Sequence, residues 1–413
     1  MRIGLYTLTS PLHNEEAVNA ASAEFISAIE AEAGVSFDFR GSDFTGYGSH
    51  DLELIYVRTG GTEGLFKEVY HKLDGTIHIL TSGKSNSLAA SMEILSYLNQ
   101  QGRSGEIIHG SIGYIAERIG ILAKVESARK RLNGTRLGII GEPSDWLISS
   151  MPDRQSVSER LGVTLVDISI SEFMDEYEKS SSETSGNTAA VTRNDFNAKA
   201  PKNLQKYEEG AFRIYSALKS LIARHGLSGL TLRCFDLLDL IGNTGCLALA
   251  VLNAEGIPAG CEGDVPALIS MAVGNALTEV CGFQANPSRI DPENGEMLFA
   301  HCTIPLNMVR NYTFNTHFES GIGIAISGDM HEGDVTIFKM SGDMNRSFCC
   351  EASLVKCQSE KDLCRTQAVL RIKGSSEERK AICKEYFLKR PIGNHHIIFP
   401  GSQKALFEEF CRL

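Results

Sequence analysis

The chain has a single tryptophan, no Cys-x-x-Cys pair and no excess of positive charge, with 40 Lys and Arg against 51 Asp and Glu. It also has no apolar run approaching the ~18 residues that a membrane span requires. Each absence removes a class of function. A net charge of −11 argues against a nucleic-acid binder held by phosphate contacts, and against attachment to an anionic membrane surface. Without Cys-x-x-Cys there is neither a zinc ribbon nor a thioredoxin-type site. The eleven cysteines are odd in number and scattered, with Cys349 and Cys350 adjacent, so they read as reduced, core-filling side chains. The N-terminal stretch MRIGLYTLTSPLHNEE holds few apolar residues before Ser10, Pro11 and two glutamates, which fits a first β-strand and not a signal peptide. The expectation is a cytoplasmic protein with no membrane or nucleic-acid partner.

What is present is ordinary globular material: 42% hydrophobic and 22% charged residues, so most of the chain should fold. At 413 residues it is too long for one core, and roughly one domain per ~150 residues gives two or three. The first part reads as strand–loop–helix units. Leu52–Val57 (LELIYV) is a continuous apolar run of the kind buried on both faces of a parallel sheet, and Thr76–Leu80 repeats it before a helix over Leu88–Asn99. A second set begins at Arg136 (RLGIIG) and runs through strands at Val163–Ile168, Leu230–Phe235 and Ile257–Cys261. Pro266 then sits in the first turn of a helix, where proline is tolerated. Beyond about residue 284 the pattern turns β-rich, with strands expected at Gly321–Ile326, Val335–Met340, Ala368–Ile372 and His396–Phe399, the first two joined as a hairpin through Gly328–Asp334. The fold class expected is α/β: two successive doubly wound α/β domains (1–133 and 134–283) followed by a mostly β C-terminal domain (284–413). The segment Lys179–Asn203, poor in apolar residues, reads as a solvated insertion or a flap.

Two loops resemble phosphate cradles and fail on spacing. Gly83-Lys84-Ser85 would need glycine at position 78 to complete a P-loop, and His78 stands there; Gly60, Gly61 and Gly64 lack the dinucleotide spacing. Both read as tight turns. A stronger constellation comes later: Glu262 at the carboxyl end of a strand, where open α/β sheets place ligands, then His301, then the pair His395-His396. A carboxylate and imidazoles brought together make a nitrogen–oxygen site for a divalent metal. Taken singly, each is also explained as a structural histidine or a helix-start carboxylate.

Cys261-Glu262-Gly263-Asp264, then His301, then His395-His396 resemble the metal-binding elements of the L-fucose and L-arabinose isomerase group, in the same order. The plan of two α/β domains before a β-rich one is similar too. The resemblance implies a metal-dependent aldose–ketose isomerase working through an enediol on a small-molecule sugar. It implies a divalent cofactor (Mn²⁺, with Mg²⁺ or Co²⁺ as alternatives) and a homo-oligomer. Glu262 matches the family's first acid and a metal ligand; His301 and one of His395 or His396 match its histidine ligands. The family's second acid lies in a phenylalanine-led turn, which here is Phe283-Gln284-Ala285-Asn286. Asn286 therefore stands where a carboxylate is expected: its amide oxygen can ligate a metal but cannot act as a base. Asp291 is the expected replacement acid, with Asp264 as another. If neither serves, a carbohydrate-binding homologue without turnover, or a lyase or epimerase reaction on a sugar, takes its place.

Overall fold

The computed structural model describes residues 2–180, 191 and 193–412, and the chain forms two compact units, Met1–Ser127 and Ala128–Leu413. The first unit is a five-stranded parallel sheet of β1 (Ile3–Leu8), β2 (Phe37–Gly41), β3 (Leu52–Val57), β4 (Ile77–Leu80) and β5 (Gly105–Ile108), in the order β2-β1-β3-β4-β5. Leu54, Ile55, Tyr56 and Val57 are all buried, which is why β3 reads as a continuous apolar run. The two glycine-bearing loops lean on each other, the Gly60 N–H donating to the Ser85 carbonyl.

The second unit begins with a four-stranded parallel sheet: β6 (Arg136–Ile140), β7 (Thr164–Ile168), β8 (Gly229–Leu232) and β9 (Ala259–Cys261), in the order β7-β6-β8-β9. The helix Gln205–His225 covers it with an apolar face, while Cys246–Ala254 and Val265–Thr278 are apolar all round and buried on nearly every side. Eight strands follow: β10 (Phe283–Asp291), β11 (Glu296–His301), β12 (Val309–Asn315), β13 (Ala325–Met330), β14 (Asp334–Met340), β15 (Ser347–Gln358), β16 (Thr366–Ile372) and β17 (His396–Pro400). Six of them close an antiparallel barrel, β10-β11-β16-β15-β14-β17. Helix Val265–Thr278 lies against this barrel at Gly274, where a Cβ would come within 1.9 Å of Phe399 Cζ. Glycine permits that approach.

The expected hairpin between the Gly321–Ile326 and Val335–Met340 stretches is not formed. β13 pairs with β12 in a separate ribbon, and both edges of β14 are taken, by β15 and by β17. Gly328, Asp329 and Met330 belong to β13 itself. A glycine-rich link between two strands makes a hairpin only when their edges are free for each other, and here the closure of the barrel claims β14.

All eleven cysteines are free thiols. Among the described residues no helix is long and apolar enough to cross a membrane. Residues 181–190 and 192 of the Lys179–Asn203 stretch lie outside the described residues; the remainder carries the helix Arg193–Lys199, with Val191 and Phe196 buried.

Candidate metal centre

Glu262 is the first residue past β9, and its backbone is left-handed (φ 65°), a conformation that costs a side-chain-bearing residue on the order of 1–3 kcal/mol. Neighbouring hydrogen bonds hold it there: Ser144 N–H donates to the Glu262 carbonyl (2.9 Å) and Gly263 N–H to the Leu232 carbonyl (3.1 Å). Gly263, also left-handed (φ 71°), lies so close to the loop after β6 that a Cβ would sit 2.7 Å from the Glu142 carbonyl oxygen. The turn thus carries the Glu262 side chain away from the sheet end toward the barrel.

From the barrel come the histidines. In an antiparallel pair directly opposite residues share a face, and β10 pairs with β17 through Ala285↔His396 and Phe283↔Ile398. Phe283, Ala285 and Ile398 belong to the apolar core, so His396 points inward with them. There it is bonded to Tyr386 Oη through Nε2 (2.8 Å) and to the Asn394 carbonyl through Nδ1 (3.0 Å). Burial, reinforced by the Lys339 charge, lowers its pKa to about 3. His395, one residue before β17 begins, is turned to Glu262.

The structure brings Glu262, His301 and His395 together. One ligand atom from each lies within 4.8 Å of the others, with Glu262 Oε1 3.6 Å from His301 Nε2 and 3.5 Å from His395 Nε2. Each side chain is held from behind. His395 Nδ1 meets the Asp264 carboxylate at 2.8 Å, His301 Nδ1 meets Thr303 Oγ1 at 3.1 Å, and the Trp146 indole N–H donates to Glu262 Oε2 at 2.7 Å. Outer partners of this kind fix the ring orientation of ligating histidines. Asp264 is completely buried; it also caps helix Val265–Thr278 by accepting from Ala267 N–H (2.8 Å) and lies 3.6 Å from the buried Lys339 amine.

The charges fit a cation. Burial works against an ionised Glu262, but His395 and His301 outweigh it and hold the carboxyl well below the usual carboxylate range. Burial likewise opposes a charged His395, while Glu262 and Asp264 push its pKa up to about 9. His395 Nε2 is buried, has no hydrogen-bond partner and is turned to Glu262. An orphaned imidazole nitrogen beside an anionic oxygen and a second imidazole is what a divalent ion would complete, and the donor set of one carboxylate and two imidazoles suits one.

Asn286 lies on the strand between those bearing the two histidines: β10 pairs with β11 through Asn286↔Ala300, next to His301, and Asn394 Nδ2 donates to Asn286 Oδ1 at 3.1 Å, next to His395. Asp291 is at the far end of β10, roughly 17 Å along the strand. Its carboxylate accepts from the Glu293 and Asn294 N–H groups and from Asn294 Nδ2 in the turn to β11. The structure does not bring it to the group. Sequence reasoning passed over Trp146, Thr303 and Lys339; of these only Trp146, as the lone tryptophan, offered any signal. A cleft of about 1310 Å³ opens at the carboxyl ends of the second sheet, between the loop 141–152, Ser169 and Arg233, and Glu262, His301 and His395 are not among its lining residues.

No family model matches the chain. Over 248 residues it is 26% identical to the sulfoquinovose isomerase of Priestia megaterium (strain ATCC 12872 / QMB1551), covering 55% of this chain and 52% of the relative. The sulfoquinovose isomerase of Alkalicoccus urumqiensis is 24% identical over 239 residues, with the same coverage. That of Clostridium sp. (strain MSTE9) is 31% identical over 98 residues, 24% of this chain and 22% of the relative. The chain is similar to sulfoquinovose isomerases. It spans about half the length of the sulfoquinovose isomerases it matches.

Proposed function

We propose that this chain is a metal-dependent aldose–ketose isomerase that carries a sugar through an enediol, with the sugar in its relatives' name, sulfoquinovose, as the first substrate to test. The observation that supports it is the meeting of Glu262, His301 and His395 around the orphaned His395 Nε2. These three residues would hold the ion, while the Asn286 amide oxygen accepts from Asn394 Nδ2. A divalent ion bound there supplies a Lewis acid for the sugar's carbonyl. By the resemblance, the proton on the carbon next to that carbonyl is assigned to Glu262, the family's first acid. Asn286 cannot move a proton and instead offers an amide to a sugar hydroxyl. Asp264 is committed to His395 and Ala267 and acts through the histidine.

The test is conversion of the aldose to its ketose by protein loaded with Mn²⁺, against Glu262→Gln. Loss of both bound manganese and turnover in the variant is expected; a variant equal to the native protein in both refutes the reading. Asn286 favours a second reading, a sugar-binding homologue without turnover, which predicts sugar binding with no exchange of the C–H proton in deuterated water. The free thiols are consistent with a reducing compartment, the cytoplasm. The proposed enzyme is a homo-oligomer, which light scattering at micromolar concentration would refute by returning a monomer mass.

A further inference from the structure

We infer that Trp146 is a positioning residue for Glu262: its indole N–H occupies Oε2, so that Oε1 is the oxygen presented between His301 and His395. This rests on the metal reading above and goes beyond it, since it assigns a residue that sets which carboxylate oxygen ligates. The two oxygens of Glu262 have different partners. Oε2 accepts from Trp146 Nε1 at 2.7 Å, and Oε1 stands 3.6 Å from His301 Nε2 and 3.5 Å from His395 Nε2. An indole nitrogen only donates, so this bond can form only to an acceptor, and a carboxylate oxygen is the strong one. The carboxylate is thereby tied in a single rotation, with one oxygen left to coordinate.

The indole is itself fixed. Its ring meets Phe235 edge-on at 4.8 Å, and Phe235 meets His317 in the same way at 5.4 Å, with His317 Nδ1 at 3.1 Å from Ser320 Oγ. The loop bearing Trp146 is tied to the same turn, since Ser144 N–H donates to the Glu262 carbonyl. Backbone and side chain of Glu262 are therefore held by one loop, 116 residues earlier in the chain. Trp146 nonetheless remains 52% exposed. A large apolar ring left half in solvent gains little from burial there; its hydrogen bond to Glu262 accounts for its position.

Trp146→Phe keeps the ring and removes the donor, and Trp146→Ala removes both. Outer partners of metal-ligating groups are worth about 10- to 100-fold in affinity, so Trp146→Phe should weaken Mn²⁺ binding by about that factor, read by isothermal titration. Wild-type affinity in Trp146→Phe, with loss only in Trp146→Ala, would mean that the ring packs and does not position, and would overturn the inference. Because this is the only tryptophan, the native protein's emission reports on it alone. Addition of Mn²⁺ should quench that emission with the same midpoint as the titration, and Glu262→Ala should shift the metal-free emission; an emission indifferent to both also overturns it. Wild-type protein that binds no Mn²⁺, with the Glu262→Ala shift present, defeats the metal reading while leaving the Trp146–Glu262 bond established.

Discussion

Asp264→Asn tests whether the site is built from behind. Asparagine keeps the volume and caps helices well, so the bond from Ala267 N–H survives and the helix Val265–Thr278 keeps its start. What is lost is the charge, and two buried groups depend on it. Lys339 is 1% exposed and its amine lies 3.6 Å from Asp264 Oδ2. Removing one partner of a buried ion pair costs ~3–5 kcal/mol. The lower end applies, since 3.6 Å is longer than a hydrogen bond and burial already lowers the Lys339 pKa despite Asp264. A loss of ~3 kcal/mol corresponds to a fall in Tm of about 5 °C for a unit as large as Ala128–Leu413. His395 meanwhile loses the anion that orients its ring, and such losses cost ~10–100-fold in metal affinity. The two effects separate in Asp264→Asn/Lys339→Met. Replacing the orphaned amine by a thioether should recover most of the Tm and none of the metal affinity. Scanning calorimetry of metal-free protein and Mn²⁺ titration supply both numbers. An Asp264→Asn protein that melts within about 1 °C of wild type and binds Mn²⁺ within about twofold would show this reasoning to be wrong.

Asn286→Asp should tighten Mn²⁺ binding and speed exchange of the sugar's C–H proton in deuterated water, by up to ~10²–10⁴-fold if a missing base limits the native protein; proton NMR of the sugar follows it, and unchanged exchange would place the base elsewhere. The His395 pKa of about 9 sets a pH dependence with a definite sign. Its folded value lies above the ordinary ~6.5, so the stabilisation it brings to metal-free protein is complete below about pH 6.5 and is lost as pH rises through about 9. Metal affinity runs the other way, rising up to about tenfold per unit toward pH 9, because the ion displaces a proton; a His395→Gln variant should show neither slope. Gly274→Ala, with a Cβ 1.9 Å from Phe399 Cζ, should cost ~1–3 kcal/mol by overpacking, and Gly274→Ala/Phe399→Leu should recover part of it in denaturant titrations.

The parallel sheets were legible because strands buried on both faces leave continuous apolar runs, as in β3 and β6. The barrel was less so. β15 buries only Cys350 and Ala352 over Ser347–Gln358, and β10 carries Pro287 and exposed Ser288 and Arg289. Which strand pairs with which depends on edges far apart in the chain, and so the β13–β14 hairpin looked plausible locally while β12 and β17 were the actual neighbours. At the site, Glu262 was legible from its place after a strand. The choice between His395 and His396 was not, because only the folded chain bonds His396 to Tyr386 and Asn394 and turns His395 Nε2 to Glu262. Trp146 and Glu262 are joined by folding alone, and no spacing rule reaches across 116 residues.

Two energetic oddities of the second unit meet at this site, while others, such as the left-handed Glu279 and Met344, lie elsewhere. Glu262 sits in a left-handed conformation, at a cost on the order of 1–3 kcal/mol, and the buried His395 Nε2 makes no hydrogen bond, with only Glu262 Oε1 at 3.5 Å facing it. Set against the 5–15 kcal/mol by which proteins of ordinary size are stable, the backbone strain is a noticeable cost at a single residue. A purely structural role would relieve it cheaply: glycine at position 262 would remove the backbone strain, and an apolar residue at 395 the orphaned nitrogen. A ligand that binds the folded chain alone offsets the strain, because binding at a hundred times Kd adds ~2.7 kcal/mol. His396, by contrast, has both ring nitrogens bonded and carries no such deficit. The deficit therefore falls on the residues whose free atoms face one another, and it is there that an ion would be expected to bind.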